Sequence, residues 1–371
     1  GNKIAIDDGR QIHDAVIQRG LLERNFVLGN ALVDMYAKCG VLEEAQHILE
    51  ELHFRDIVSW SSLIAGYAQE GRGHEALTCF EQMKREGLFP NEITFLSTLK
   101  ACGNAGAIGK GKQIHDQVMH RDMLDKNVAL GNALVDMYSK CGMLTKARQV
   151  LETLPNRNVV SWSTLIARYA QVGQGYEALT CFEQMQSEGI SPNEVSFICI
   201  LKACGSIRDI EKGKQIHDQI ASTGLLRKHI VLGNALIDMY AKCRELGKAA
   251  QVLEELPVRD TISWNTLISG HVQEEQGLEA LKCFTQMQRE GLSPNRITFV
   301  CILKACGSLG AIDKGKQIHD EIVKRGSLKK NIVLGTALVD MYAKCGVLHK
   351  AQEILEELPI RDMIAWSALI T

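Results

Sequence analysis

The sequence predicts an all-α fold, a solenoid of stacked helix-turn-helix repeats, on three observations. Trp60, Trp162, Trp264 and Trp366 are the only four tryptophans in 371 residues, and each successive pair is 102 positions apart. Each 102-residue cycle divides into three related units of roughly 35, 36 and 31 residues. Apolar residues recur at helical spacing, and strand-like alternation is absent. One helical hairpin cannot bury its own apolar face, so neighbours must stack. Function is then expected on a repeated surface rather than in one pocket.

The elements follow in order. Residues 56–90 open with Val58-Ser59-Trp60-Ser61, and Trp60, Leu63, Ile64 and Tyr67 fall at i, i+3, i+4 and i+7. Gly71 and Gly73 are expected to break this helix. A second stripe, Ala76, Leu77, Phe80 and Met83, is stopped by Gly87 with Pro90 beyond it. Residues 91–126 carry Leu99-Lys100-Ala101-Cys102 and then Gly111-Lys112-Gln113-Ile114-His115. Residues 127–157 carry a stripe at Leu134, Met137, Tyr138 and Cys141 that ends at Gly142. This spacing predicts about 22 helices: ten complete hairpins, a lone helix at each end and no cap. Gly1 and Thr371 both fall inside a repeat, so a fragment of a longer protein is expected.

The reactive residues follow the repeat. Cys39, Cys141, Cys243 and Cys345 share one position, Cys79, Cys181 and Cys283 a second, Cys102, Cys204 and Cys306 a third, and Cys199 and Cys301 a fourth. With no Cys-x-x-Cys, they read as small buried apolar residues in a reducing compartment rather than disulfides or zinc ligands. His13, His115, His217 and His319 occupy one position, which predicts packing or capping, because a catalytic residue has no reason to recur four times. His319-Asp320-Glu321 matches half of the zinc deaminase signature, but Pro-Cys-x-x-Cys is missing. Ala15, Gln117 and Gln219 stand where Glu321 would recur. Gly109-Lys110-Gly111-Lys112 does not meet the phosphate-loop frame. No catalytic, metal or cofactor site is predicted. There is no apolar run long enough to span a bilayer.

Two families pair helices at this length. Tetratricopeptide repeats keep a unit of about 34 residues with Trp-x-x-Leu-Gly-x-x-Tyr. Here Trp60 precedes Ser61-Ser62-Leu63-Ile64, and the unit length cycles. That cycling goes with Trp-Ser/Asn-x-Leu-Ile, Phe-(Glu/Thr)-Gln-Met-x3-Gly-x2-Pro, Leu-Lys-Ala-Cys-Gly, Gly-Lys-Gln-Ile-His and Asn-Ala-Leu-x-Asp-Met-Tyr-x-Lys-Cys. Together they closely resemble the pentatricopeptide repeat proteins of the PLS subclass, over essentially the whole chain. The resemblance implies a right-handed superhelix in a single array. Its units would be 1–24 (partial L), 25–55 (S), 56–90 (P), 91–126 (L), 127–157 (S), 158–192 (P), 193–228 (L), 229–259 (S), 260–294 (P), 295–330 (L), 331–361 (S) and 362–371 (partial P). It further implies a plant organelle protein, mitochondrial or chloroplastic, that binds single-stranded RNA to place a cytidine for C-to-U editing. Accessory editing factors and a deaminase domain, in cis or trans, would be further partners, with no membrane and no DNA. Any deaminase domain would follow the array, so this chain is not expected to be an enzyme.

Proteins of this kind read one base per repeat with two or three side chains. Carried over, the reading pairs are Asn30/Asp56, Ser61/Asn91, Asn132/Asn158, Ser163/Asn193, Asn234/Asp260, Asn265/Asn295 and Thr336/Asp362. A short hydroxyl leaves room for a purine and a longer Asn reaches a pyrimidine. Asp only accepts, favouring the ring N–H of U or G, whereas Asn can donate to A or C. The L units carry Leu96, Ile198 and Val300 at the first position, which cannot hydrogen-bond a base edge. With RNA parallel to the protein, the implied register is 5′-U-A-n-(C/U)-A-n-U-(C/U)-n-G-3′. Val27, Val58, Val160, Val231, Ile262 and Val333 would wedge between bases, Ala129 more weakly. Lys38, Lys140, Lys242 and Lys344 would reach phosphates.

Asn, Asp and Ser at helix starts also serve as N-caps, the plainer reading of each pair. Seven pairs in register, with aliphatics only in the L units, favour readout. Net charge is −2, unlike most nucleic-acid binders. Glu43-Glu44, Glu50-Glu51, Glu254-Glu255 and Glu356-Glu357 are therefore expected on outer helices, leaving a positive groove, modest affinity and a shallow salt slope. The alternative is a protein-binding scaffold. Arg244 stands where Gly40, Gly142 and Gly346 recur; a left-handed backbone there costs about 1 kcal/mol. Arg168 stands in place of Gly66 and Gly270, and His271 in place of Tyr67 and Tyr169.

Overall fold

The computed structural model describes residues 2–20, 25–125, 127–326, 331–358 and 366–367. Among these residues the regular structure is helical throughout, with 21 α-helices, one 3-10 turn at Leu225–Arg227 and no strand. A lone α1 (Asn2–Gln18) comes first. There follow α2 (Phe26–Lys38) and α3 (Leu42–Glu51), α4 (Ile57–Gln69) and α5 (Gly73–Arg85), and α6 (Glu92–Ala105) and α7 (Ile108–His120). The next cycle holds α8 (Val128–Lys140) and α9 (Leu144–Thr153), α10 (Val159–Gln171) and α11 (Gly175–Ser187), and α12 (Glu194–Ile207) and α13 (Ile210–Thr223). The last holds α14 (Ile230–Lys242) and α15 (Leu246–Glu255), α16 (Thr261–Gln273) and α17 (Gly277–Arg289), and α18 (Arg296–Leu309) and α19 (Ile312–Lys324). It closes with α20 (Ile332–Lys344) and α21 (Leu348–Glu357). The short unit of each cycle arises in its second helix: α3, α9, α15 and α21 have 10 residues where α5 and α7 have 13.

The chain forms two compact units, Gly1–Val172 with Thr180–Ser191, and Gly173–Leu179 with Pro192–Thr371. Within each, a first helix packs on its own second helix and on the next first helix, as α4 does on α5 and α6, or α16 on α17 and α18. The tryptophans anchor this packing. Trp60, Trp162 and Trp264 are buried, and their indole N–H groups donate to Glu86, Glu188 and Glu290 at 2.9, 3.1 and 3.0 Å. The same carboxylates pair with Arg55, Arg157 and Arg259, the residues just before Asp56, Asn158 and Asp260. A buried indole needs such an acceptor, and the ion pair ties the end of one hairpin to the next.

Two glycine positions show why the array is tightly spaced. Gly71 ends α4 in a left-handed conformation, as expected, but Gly73 does not break a helix: it begins α5. A Cβ there would stand 2.6 Å from the Ala101 carbonyl, so only glycine admits the neighbouring helix. Gly111 in Gly-Lys-Gly-Lys lies against the Met137 sulfur and serves packing. Arg244 does adopt φ +64, against +76 to +77 at Gly40, Gly142 and Gly346, and its guanidinium pairs with Glu274 at 3.1 Å. Arg168 is absorbed without interrupting α10, but Leu144 becomes half-buried where Leu42 and Leu246 are buried. His271 stays buried, bonded through Nδ1 to Gln276.

The histidines pack, as the repeat position predicted. His13, His115, His217 and His319 each meet the hydroxyl of Tyr36, Tyr138, Tyr240 or Tyr342 through Nδ1 at 2.9–3.1 Å, rings edge-on. Glu321, next in the half-signature, pairs with Arg325. The thiols are buried or half-buried, and burial pushes Cys79, Cys102 and Cys204 up to about 12, far from reactive thiolates.

Burial holds His115, His217 and His319 below their ordinary pKa of 6.5, so the ring beside each tyrosine hydroxyl is neutral at neutral pH. The unfolded chain then binds protons first as pH falls, and stability drops once pH passes below about 6.5. Thermal unfolding followed between pH 7.5 and about 5.5 is expected to show this loss, and the His115→Gln, His217→Gln, His319→Gln variant a flatter dependence.

Candidate nucleic-acid interface

Every first helix from α2 to α20 opens with the same three positions. The residue before it is the N-cap, the second residue points outward, and the fifth lies one turn on along the same face. The second residues Val27, Val58, Ile93, Val160, Val195, Val231, Ile262, Ile297 and Val333 are each 52–60% exposed. Left half in water at one repeat position, these aliphatics form a row within each compact unit rather than scattered surface residues. Ala129 is exposed in the same row. Ile93, Val195 and Ile297 belong to the L units and were not among the expected wedges; carrying the second-residue position through every unit would have found them.

The fifth residues lie behind this row. Asn30, Ser61, Ser163 and Asn265 are buried, and Asn132, Asn234 and Thr336 are half-buried. The N-caps meet them. Asn30 Nδ2 donates to Asp56 Oδ2 at 2.9 Å, and Asn265 Nδ2 to Asn295 Oδ1 at 3.1 Å. Asn132–Asn158 and Asn234–Asp260 are more open, at 3.4 Å. Ser61 meets Asn91 through the Thr94 hydroxyl, 2.7 Å from Ser61 Oγ and 2.8 Å from Asn91 Oδ1. Ser163 lies in one compact unit and Asn193 in the other. Thr336 donates back to the Ile332 carbonyl at 3.0 Å, while Asp362 lies outside the described residues.

Capping and pairing coexist in these side chains. Asp56, Asn91, Asn158, Asn193, Asp260 and Asn295 each close a capping box with a Ser or Thr three residues on. In Asp56, Oδ1 accepts from the Val58 and Ser59 N–H groups, leaving Oδ2 beside Asn30. Burial alone would raise the Asp260 pKa, but hydrogen bonds from the Ser263 N–H and hydroxyl and from Asn234 outweigh it and hold the carboxyl below its ordinary value. Asp260 is therefore an acceptor only at neutral pH. Recesses of about 750 Å3 between Val27, Val58 and Ile93, and about 280 Å3 between Ile262 and Ile297, open directly over reading pairs.

The charge pattern corrects one expectation. The clustered glutamates do lie on second helices, α3, α15 and α21, away from the recesses. The groove lysines are nevertheless not free positive charges. Lys38, Lys140, Lys242 and Lys344 pair with Asp34, Asp136, Asp238 and Asp340, one turn earlier, at 2.6, 2.7, 2.7 and 2.9 Å. The stems of Lys140, Lys242 and Lys344 lie across Gly103, Gly205 and Gly307 of the preceding helix. Helical i,i+4 spacing brings each pair within reach, and each pair adds no net charge to the groove.

Within each compact unit the first helices recur with an exposed aliphatic, an Asn, Asp or His just before the helix and a further side chain at one spacing, which defines a helical-repeat scaffold. The chain belongs to the PPR (pentatricopeptide) repeat family: the pattern of the PPR repeat family matches residues 55–104, 157–206 and 259–308. That of the single PPR repeat matches 30–57, 132–159, 234–260, 297–327 and 336–362. A chloroplastic pentatricopeptide repeat-containing protein of Arabidopsis thaliana is 35% identical over 362 residues, 98% of this chain and 58% of that protein. A second chloroplastic one is 38% identical over 370 residues, 100% of this chain and 45% of its own length. A mitochondrial one is 36% identical over 363 residues, 97% and 35%. The chain thus spans roughly a third to three-fifths of these relatives. Among solved structures, the pentatricopeptide repeat protein PPR10 in complex with an 18-nt psaJ RNA element shares the fold. Its TM-score is 0.76 at 18% identity, over 92% of this chain and 52% of that one. PPR10 from maize gives 0.59 at 20% identity, over 92% and 55%.

The Oδ1 atoms of Asn30, Asn132 and Asn234 are buried without a hydrogen-bond partner. Each costs about 1–3 kcal/mol, a stability loss at the fifth helix position. Replacing Asn132 or Asn234 with the Leu found at position 96 is expected to raise stability by about 1 kcal/mol per site in thermal unfolding. A fall would show that these amides serve the fold alone.

Proposed function

We propose that this array binds single-stranded RNA sequence-specifically, one base per P or S unit, in the register 5′-U-A-n-(C/U)-A-n-U-(C/U)-n-G-3′. The reading extends to specifying a site for C-to-U editing in a plant mitochondrion or chloroplast. The observation that carries it is the joining of the two polar positions of a unit, beneath half-exposed aliphatics, in both compact units. A base held between Val27 and Val58, or Ile262 and Ile297, would have its edge directed at such a pair. Stacking on aliphatic walls is indifferent to sequence, while the paired donors and acceptors discriminate. The L units keep the wall and offer Leu96, Ile198 or Val300 behind it, so they hold a base without reading it.

The relatives' chloroplastic and mitochondrial names support the compartment, and the RNA-bound PPR10 structure supports the ligand class. The editing role rests on the resemblance to the PLS subclass. We read the array as an address rather than a catalyst, with any deaminase domain or accessory factor outside it.

Binding to the predicted ten-nucleotide RNA and to a scramble of equal composition, each at two salt concentrations, tests this reading. Clear preference for the predicted sequence is expected. Equal binding erased by salt would reduce the array to an electrostatic groove, and no binding to either would favour a protein scaffold. Freeing the lysines with Asp34→Asn, Asp136→Asn, Asp238→Asn and Asp340→Asn is expected to tighten both RNAs alike. It should also steepen the salt dependence, by about 0.7 in log–log slope per phosphate engaged.

A further inference from the structure

We infer that Thr94 and Thr298, the third residues of α6 and α18, are specificity-determining residues that hold both readers of the unit before them in place. This rests on the reading pairs proposed above. The Thr94 hydroxyl lies 2.7 Å from Ser61 Oγ, 2.8 Å from Asn91 Oδ1 and 3.4 Å from the Asn91 N–H. The Thr298 hydroxyl lies 2.6 Å from Asn265 Oδ1, 3.2 Å from Asn295 Oδ1 and 3.0 Å from the Asn295 N–H. Both threonines are fully buried, so neither touches the RNA.

A hydroxyl has one proton and two lone pairs. Each threonine accepts the N–H of the capping Asn and gives its proton to an oxygen of one reader. The threonine's own N–H also donates to the Asn Oδ1, at 2.9 Å in Asn91 and 3.1 Å in Asn295. The amide oxygen is thereby committed inward, and Nδ2 is the arm left for the groove. An Asn held so presents a donor, suited to the ring nitrogen of A or C, and an Asp would present an acceptor.

The S units are built differently. Asn30 reaches Asp56 directly, and the Ser59 hydroxyl bonds only to Asp56. The caps that close the L units are followed at the third helix position by Leu28, Leu130, Leu232 and Leu334, which have no hydroxyl. An L unit that reads no base of its own thus supplies the third side chain of the P-unit site before it.

The test uses the whole chain and four RNAs of the predicted register that differ only at the second base. Asn91→Asp, in an otherwise unchanged chain, is expected to switch that base from A to G. Thr94→Val keeps the shape and removes the hydroxyl. It is expected to cut the preference for A roughly fivefold, the worth of one hydrogen bond, while preference at the first base stays as it was. Thr94→Ser is expected to restore it, and Thr298→Val to repeat the loss at the eighth base should Thr94→Val not fold. If Asn91→Asp leaves the preference for A, the reading itself fails and this inference with it. If Asn91→Asp switches the base but Thr94→Val weakens all four RNAs equally, the threonine is a cap only and the positioning role is overturned.

Discussion

The structure depends on how each first helix begins. Its leading N–H groups have no partner within the helix, and in every first helix from α2 to α20 except α14 the side chain just before the helix accepts from them. That side chain is also the last polar group of one hairpin and the first of the next. A box of Asn or Asp with Ser or Thr three residues on joins the hairpins and fixes the cap's rotamer. It also leaves one arm of the cap beside the fifth residue of the previous helix. Capping and the proposed base reading are not rival accounts of these residues: a carboxylate or amide has two arms, and the helix uses one.

The spacing of the array has a separate cause. Trp60, Trp162 and Trp264 fill the space between hairpins, and each buried indole N–H needs an acceptor, met by Glu86, Glu188 and Glu290. Glycines where helices approach most closely, such as Gly73 under Ala101 and Gly111 under Met137, set how tightly neighbours stack. These contacts make a regular ruler, and a ligand with a regular repeat of its own is what such a ruler can match.

Charge and stability both yield at this surface. Lys38, Lys140, Lys242 and Lys344 each have an aspartate one turn away, which weakens the generic attraction that would hold any nucleic acid. Three asparagine oxygens are buried unpaired where the L units place an aliphatic.

The helices, their pairing and the 102-residue cycle were legible in the sequence because apolar periodicity and glycine stops act locally and each is written several times over. The paired polar positions were legible too, since a small polar residue recurring in an apolar stripe stands out at any one of them. Three things were decided only by tertiary structure. Gly73 begins a helix because the Ala101 carbonyl, on another hairpin, leaves no room for a Cβ. The lysines are neutralised by a pairing that the sequence spacing permitted but did not require. The link from Thr94 to Ser61 spans 33 positions, and only the stacking of α4 on α6 brings the two hydroxyls together.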